Sequence, residues 1–392
     1  MLAPRDGLTG VVSHRDALLR TAEAFAAGSG PIAVDAERAS GFRYSQRAYL
    51  VQLRRAGAGT ALIDPIPMRS DLSELAPALD GAEWVLHAAN QDLACLAETG
   101  LTPSALFDTE LAGRLAGLPR VGLGPLVEQL LGLSLEKGHG AADWSRRPLP
   151  EDWLVYAALD VEVLVELRDV LAGLLAEQGK LEWAKQEFEA VRTAGPPPPR
   201  AEPWRRTSGL HKLRKPRALA IVRALWEARD RLAAERDIAP GRVLPDSAII
   251  EAAASAPASP NELSELPVFR GRSQRRLTSY WFGALRQAAA LDPAELPKVA
   301  PPADGPPPVG RWPDRDPDAA ARLAAARAAV AAIGQERSVP VENLLQPDLL
   351  RRLCWSPPAD GDVAAALRAG GARPWQVELL TPLLEPALQA HS

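Results

Sequence analysis

Asp35 and Glu37 stand two residues apart in "IAVDAE", at the end of the apolar run Ile32, Ala33, Val34. In a strand, residues i and i+2 point to the same face, so the two carboxylates would lie side by side. Like charges repel there, and desolvation is costly. Further on, Asp92 follows the run "EWVLHAA" near a helix start, and Tyr156 and Asp160 stand four apart in "EDWLVYAALDVEVLVEL". On a helix that spacing puts the phenol and the carboxylate on one face, about a turn apart. The surrounding positions are apolar (Trp153, Leu154, Val155, Leu159, Val161, Leu164), so Asp160 needs a partner. Crowded acids suit hard cations such as Mg²⁺ and Mn²⁺, which prefer carboxylate oxygens. Two such ions about 3.5–4 Å apart can activate a water and stabilise the departing oxygen in phosphodiester hydrolysis. Each piece alone has a plainer reading. A D-x-E on a strand is most often a surface or capping pair, Asp92 alone is an N-cap, and Tyr156 with Asp160 is an ordinary hydrogen-bonded helix pair.

Positioning these groups requires strands and helices in alternation. "PIAVDAE", "AYLVQLRR", "TALIDPI" and "EWVLHAA" are short β-favouring runs bounded by Gly, Pro or polar residues. "SHRDALLRTAEAFAAG", "QDLACLAETG", "ELAGRLAGL" and "GPLVEQLLG" carry helical spacing, as does the run from about Glu151 to Ala190. The pattern predicts an α/β domain with a mixed sheet, because the first three strands can be linked by hairpins.

Two proline clusters, "GPPPPRAEP" (195–203) and "PKVAPPADGPPPVGRWP" (297–313), read as semi-rigid spacers in the 392-residue chain. They delimit an α/β segment at 1–194 and two all-α segments at about 204–296 and about 314–392. The two helical segments resemble one another, "LWEARDRLAAERDIAPGRVLPDSAIIEAAASAP" being laid over "LAAARAAVAAIGQERSVPVENLLQPDLLRRLCWSP". A duplicated helical module is expected. The chain is 47% hydrophobic and 24% charged, with net charge −4, but residues 201–300 alone carry +6. A basic segment between acidic ones is an electrostatic footprint for nucleic acid, or a solvated helix face with surplus arginine. Cys95 and Cys354 are far apart and outside any CxxC, which argues against a disulfide framework and for a reducing cytoplasm. No apolar run approaches the roughly 18 residues of a membrane span, and the N-terminus lacks a signal-peptide pattern.

Residues 32–170 resemble the 3′–5′ exonuclease domain of the DEDDy class and, within it, the bacterial ribonuclease D family. The matching stretches are "VDAERASGFRYSQRAYLVQL", "ALIDPI", "WVLHAANQDLACL", "FDTELAGRLAG" and "LEKGHGAADWSRRPLPEDWLVYAALDVEVL". The resemblance implies an α/β ribonuclease H-like exonuclease domain with a mixed sheet, working with two divalent metal ions, Mg or Mn. It makes Asp35 the bridge between the metals, with Glu37 and Asp160 completing the shell of the ion that holds the attacking water. Asp92 would serve the second ion, partly through water, and Tyr156 would orient the nucleophilic water. Without metal, at least one of Asp35 and Glu37 should hold its proton more readily than a free carboxylate. Where the family has a serine after Lys137, this chain has Gly138.

Other neighbours carry two readings. His87 is a buried hydrogen-bonding residue or a ligand, and Asp108 a helix cap or a site residue. Lys137 and His139 could touch phosphate or be solvated loop residues. Phe42 and Tyr44, with Gln46, could contact terminal nucleotides by stacking, or the two rings could pack beneath their loop. The helical segments resemble the HRDC domain, a nucleic-acid-binding module. In the first, residues 204–236 hold ten Lys or Arg against three acids. Lys212, Arg214, Lys215 and Arg217 cluster at a helix start there, and Arg270, Arg272, Arg275 and Arg276 follow. Such residues would bind RNA phosphates without sequence preference. The second segment reads as a divergent HRDC-like scaffold that packs on the exonuclease domain. No Walker motif accompanies them, so no helicase is implied. The resemblance implies a 3′–5′ exoribonuclease acting on tRNA precursors and other RNAs with free 3′ ends and releasing 5′-monophosphates; a cytoplasmic monomer with no membrane partner is expected. A DNA exonuclease and a nucleic-acid-binding adaptor with the nuclease fold as scaffold are the rival readings.

Overall fold

The computed structural model describes residues 3–135, 138–195, 198–299 and 305–389. The described residues form two compact units. The larger comprises residues 1–38, 47–195 and 303–392, and the smaller residues 39–46 and 196–302. No helix among the described residues is long and apolar enough to cross a membrane.

The larger unit begins with α1 (Arg15–Ala27), β1 (Ser29–Glu37), β2 (Leu50–Ala56), β3 (Gly59–Ile63) and the single turn α2 (Ala76–Leu79). Next come β4 (Glu83–Leu86), α3 (Leu93–Glu98), β5 (Ala105–Asp108), α4 (Thr109–Leu115) and α5 (Leu123–Leu131). Three helices complete this part: α6 (Glu151–Glu162), α7 (Leu164–Glu177) and α8 (Leu181–Thr193). The strands pair in the order β3-β2-β1-β4-β5. β1 lies antiparallel to β2 and parallel to β4, so the sheet is mixed. Ile32, Ala33 and Val34 are wholly buried, as a central strand requires of an unbroken apolar run. The hairpin between β2 and β3 turns through Gly57 and Gly59, both at positive φ (83° and 77°), where other residues are strained.

Four of the five strands lie where the sequence places them. β5 is not marked in the sequence, because "ALFD" leads straight into α4 with no Gly or Pro between them. The run from about 151 to 190, read as helical, is three helices. It breaks at Val163, where φ is −110° and ψ −2°, and again at Gly179, where φ is +68°.

The smaller unit holds α9 (Pro216–Arg236), α10 (Pro240–Val243), α11 (Asp246–Ser255), α12 (Pro260–Glu265), α13 (Arg272–Arg275) and α14 (Thr278–Ala290). Its separate core gathers around Leu225, Phe269 and Trp281. The chain then returns to the larger unit with α15 (Trp312–Arg315), α16 (Pro317–Arg337), α17 (Val341–Leu344), α18 (Pro347–Trp355), α19 (Val363–Ala369) and α20 (Pro374–Gln389). The duplication is in strict register. α16, α17 and α18 each begin 101 residues after α9, α10 and α11. Both long helices end on a left-handed residue, Asp237 (φ 49°) and Ser338 (φ 51°).

The C-terminal helices share a core with the sheet. Trp375 of α20 stacks on Trp183 of α8, with ring centroids 4.7 Å apart and planes at 15°. Its indole N–H donates to Glu187 Oε1 at 3.0 Å, and Arg373 pairs with the other oxygen at 2.9 Å. Trp375→Ala should therefore cost about 3 kcal/mol and lower the midpoint of urea unfolding. Limited proteolysis of the variant should release the C-terminal helices first.

Candidate active site

β1 delivers Asp35 and Glu37 opposite Gln52 and Leu50 of β2. α6 packs across β1, β2 and β3, and its i, i+4 face turns Tyr156 and Asp160 towards the same point. The carboxylates of Asp35, Glu37 and Asp160 present oxygens that all lie within 4.8 Å of one another. Tyr156 hydrogen-bonds Asp160 through its side chain. Glu37 is buried, while Asp35 and Asp160 are half-buried. Three acids with hard oxygen donors and so little separation form a fitting seat for a divalent cation.

The electrostatics follow from that crowding. Burial, followed by the charges of Asp35, Asp160 and Asp92, pushes the Glu37 carboxyl up to about 10. Burial raises Asp35 to about 6, opposed by the Ala36 amide and Arg38. Asp160 is raised well above the usual carboxylate range by burial and by Asp35. The expected proton retention in the opening pair thus applies to the whole group.

Asp92 arrives by a different route. After β4 the chain passes through Ala88 at φ +58° and reaches Asp92 at the N-cap position of α3. Its side chain makes no capping bond there, so the carboxylate is not committed to the helix. It stands outside the close triple, 3.6 Å from Arg38 Nη2, and burial together with Asp35 raises it to about 8. Arg38 was not anticipated as a site residue, although its position directly after Glu37 was a signal. The loop that carries Asp92 is fixed by Asp108. The Asp108 carboxylate accepts the amides of Ala88 and Ala89 at 3.0 and 2.8 Å, and also those of Glu110 and Leu111, which caps α4. His87 is half-buried, with Nδ1 2.9 Å from Thr109 Oγ1, and burial lowers its pKa to about 4.

A loop before α6 covers Tyr156. The His139 ring meets the Tyr156 ring edge-on at 5.7 Å. Trp144 is buried against Trp153 and donates its indole N–H to the His139 carbonyl at 3.1 Å. Arg147 knots this loop to the sheet. Its guanidinium takes both oxygens of buried Asp64, at 2.6 and 2.8 Å, and donates to the carbonyls of Tyr49, Trp144 and Arg146. Tyr49 in turn donates its amide to the Glu37 carbonyl at 2.8 Å. Lys137 lies outside the described residues.

The remaining candidates fall in the smaller unit. Phe42 lies under the Arg242 guanidinium, 4.1 Å from the ring centroid. The Tyr44 hydroxyl is 3.2 Å from both oxygens of Asp230, and its ring packs on the helical core. Lys212, Arg214 and Lys215 are exposed. Arg217 donates through Nη1 to the carbonyls of Ala288, Ala289 and Leu291 at the end of α14. Arg270, Arg272, Arg275 and Arg276 together line a concavity of about 330 Å³.

Two predictions follow from this geometry. Unfolded carboxyls ionise near pH 4, whereas the folded, metal-free ones are raised towards about 6 for Asp35, 8 for Asp92 and 10 for Glu37. Their protonated form favours the fold at low pH, and that advantage drains away as pH rises through the folded values. In EDTA, the melting temperature should fall between pH 6 and 9, and Glu37→Gln should flatten the decline. Arg147→Met should leave Tyr156 poorly held and lower kcat by about tenfold or more, since small misplacements cost that much. Single-turnover kinetics would measure it.

Residues 11–176 match the family described as 3'-5' exonuclease, residues 218–285 the HRDC domain, and residues 305–388 the 3' to 5' exonuclease C-terminal domain. The ribonuclease D of Gluconacetobacter diazotrophicus is 31% identical over 360 residues, covering 86% of this chain and 88% of the relative. Among solved structures, a protein from Bifidobacterium adolescentis is 40% identical with a TM-score of 0.93, covering 99% of each chain. Escherichia coli RNase D, described as an exoribonuclease involved in structured RNA processing, is 25% identical with a TM-score of 0.68. That match covers 97% of this chain and 99% of the other. The chain, with its carboxylates gathered on an exonuclease sheet, therefore belongs to the ribonuclease D family and is a 3′–5′ exoribonuclease.

Proposed function

We propose that this exoribonuclease removes nucleotides one at a time from RNA 3′ ends, releases 5′-monophosphates, and trims tRNA precursors and other structured RNAs. Asp35, Glu37, Asp92 and Asp160 would hold two divalent ions, Mg²⁺ or Mn²⁺. Bound there, the ions would supply the positive charge that activates water and stabilises the departing oxygen. The observation that carries the reading is the convergence of the Asp35, Glu37 and Asp160 oxygens within 4.8 Å, beside the Tyr156 hydroxyl.

The chain's own groups have distinct tasks. Burial and the neighbouring carboxylates push the Tyr156 phenol far above its ordinary range, so it stays protonated. As a protonated phenol it can orient a water by hydrogen bonding. Asp160 holds the phenol in place. His139, edge-on to Tyr156, limits the ring's freedom. Arg38 offsets part of the negative charge at Asp92 and is placed to meet a phosphate oxygen. The exposed Lys212, Arg214 and Lys215 and the four clustered arginines would hold the RNA backbone by phosphate contacts. The functional layout is an exonuclease domain at 1–194, a basic HRDC domain at 204–296 and a second helical module at 314–392.

Purified protein with Mg²⁺ or Mn²⁺ should shorten a 3′-extended tRNA and yield nucleoside 5′-monophosphates, and Asp35→Ala should abolish this. Tyr156→Phe should cut kcat by about 100-fold while leaving metal affinity unchanged. Faster degradation of a DNA oligomer than of the RNA of the same sequence would replace the substrate assignment. Shortening that survives Asp35→Ala would overturn the site.

A further inference from the structure

Gln52 is wholly buried, and neither its side-chain oxygen nor its side-chain nitrogen has a hydrogen-bond partner. Burying an amide in this way is costly, and such groups in a folded protein call for an explanation. Its place in the sheet supplies one. Gln52 is directly opposite Asp35 in the antiparallel pair of β1 and β2. Directly opposed residues point to the same face, with β-carbons about 4.5–5.5 Å apart. That face is the one α6 covers, because Asp160 of α6 reaches Asp35 and Glu37.

The other neighbours of Gln52 within the sheet offer it nothing. Across the far edge it pairs with Leu62 of β3. Along β2, Leu50 is apolar, and the Arg54 guanidinium is already engaged by Asp6, Thr60 and Glu162. On β1, Ala33 lies diagonally to one side and Glu37 to the other. Asp35 is thus the polar group that the strand register brings nearest. An amide can donate two hydrogens, and an ionised carboxylate accepts at each oxygen.

We propose that Gln52 is a positioning residue for Asp35: with a divalent cation in the site, its amide hydrogen-bonds the Asp35 carboxylate and fixes the orientation in which that carboxylate serves the cation. The inference rests on the reading of Asp35 as a metal ligand. It explains why a strand that is apolar at Leu50, Val51 and Leu53 keeps an amide at 52. The cost is borne in the metal-free state and recovered when the cation binds. Outer partners of this kind set metal affinity strongly, typically by 10–100-fold.

Gln52→Met keeps the length of the side chain and removes the amide, which gives opposite signs in two measurements. The melting temperature in EDTA should rise, because an unsatisfied buried group is gone. The affinity for Mn²⁺, measured by calorimetry in the absence of RNA, should fall about tenfold or more. Unchanged Mn²⁺ affinity would overturn the proposal, and so would a variant that loses metal-free stability along with affinity, since that marks a purely structural role. Asp35→Asn serves as the reference. If it binds Mn²⁺ as tightly as the wild type, the metal-ligand reading itself fails. If it loses the metal while Gln52→Met does not, only the assignment of Gln52 fails.

Discussion

Oxygens of three carboxylates within 4.8 Å of one another and largely out of water repel each other whenever they are ionised. Left to themselves, the chains that carry them would move apart. The surrounding structure resists this at several points. β1 is clamped between two strands, so Asp35 and Glu37 cannot swing away without breaking the sheet. α6 is held near both ends. Ahead of it, the loop is tied through Arg147 to Asp64 and Tyr49. At its end, Glu162 is buried with Arg54 at 3.1 Å and Arg5 at 3.7 Å. The loop bearing Asp92 is gripped by Asp108. A rigid frame built around an unfavourable cluster is the arrangement expected where local strain is kept for function and offset elsewhere.

Much of this was legible in the residues, and for a physical reason. Asp35 and Glu37 stand out because two acids at the end of an apolar strand have no structural motive. Tyr156 and Asp160 stand out because the rest of their helix is apolar. What stayed hidden depends on contacts between segments distant in sequence. Arg147 reads as one more loop arginine until Asp64, 83 residues away, is seen to share both oxygens with it. Asp92 has the position of a helix cap, and only the absence of a capping bond separates it from one. Arg217 reads as one more cation at a helix start until its Nη1 is seen to hold three carbonyls at the end of α14. β5 escaped because no Gly or Pro separates it from the helical pattern that follows.

The helical half shows the same limit. The duplication could be seen in the text, but only with gaps, because its two copies conserve geometry more than sequence. In the structure the copies align without gaps over helix, connector and helix. Their surroundings then diverge. One closes around its own core, while the other gives its apolar surface to the nuclease sheet. The same scaffold thus contributes a basic surface in one place and structural support in the other.

Two modules that begin with the same three-helix layout in one chain also pose a problem of discrimination during folding. A newly made helix could settle into the slot of its counterpart, a known failure of repeated sequences. The side chains of α9 and α16 make that exchange unfavourable. α9 buries Leu219 and Leu225 where, 101 residues on, α16 carries Ala320 and Ala326. Placed in the slot of α9, the slimmer helix would leave voids where leucines belong, and the bulkier one would not fit where alanine is required. The divergence of the two copies works as an address, sending each helix to its own partners.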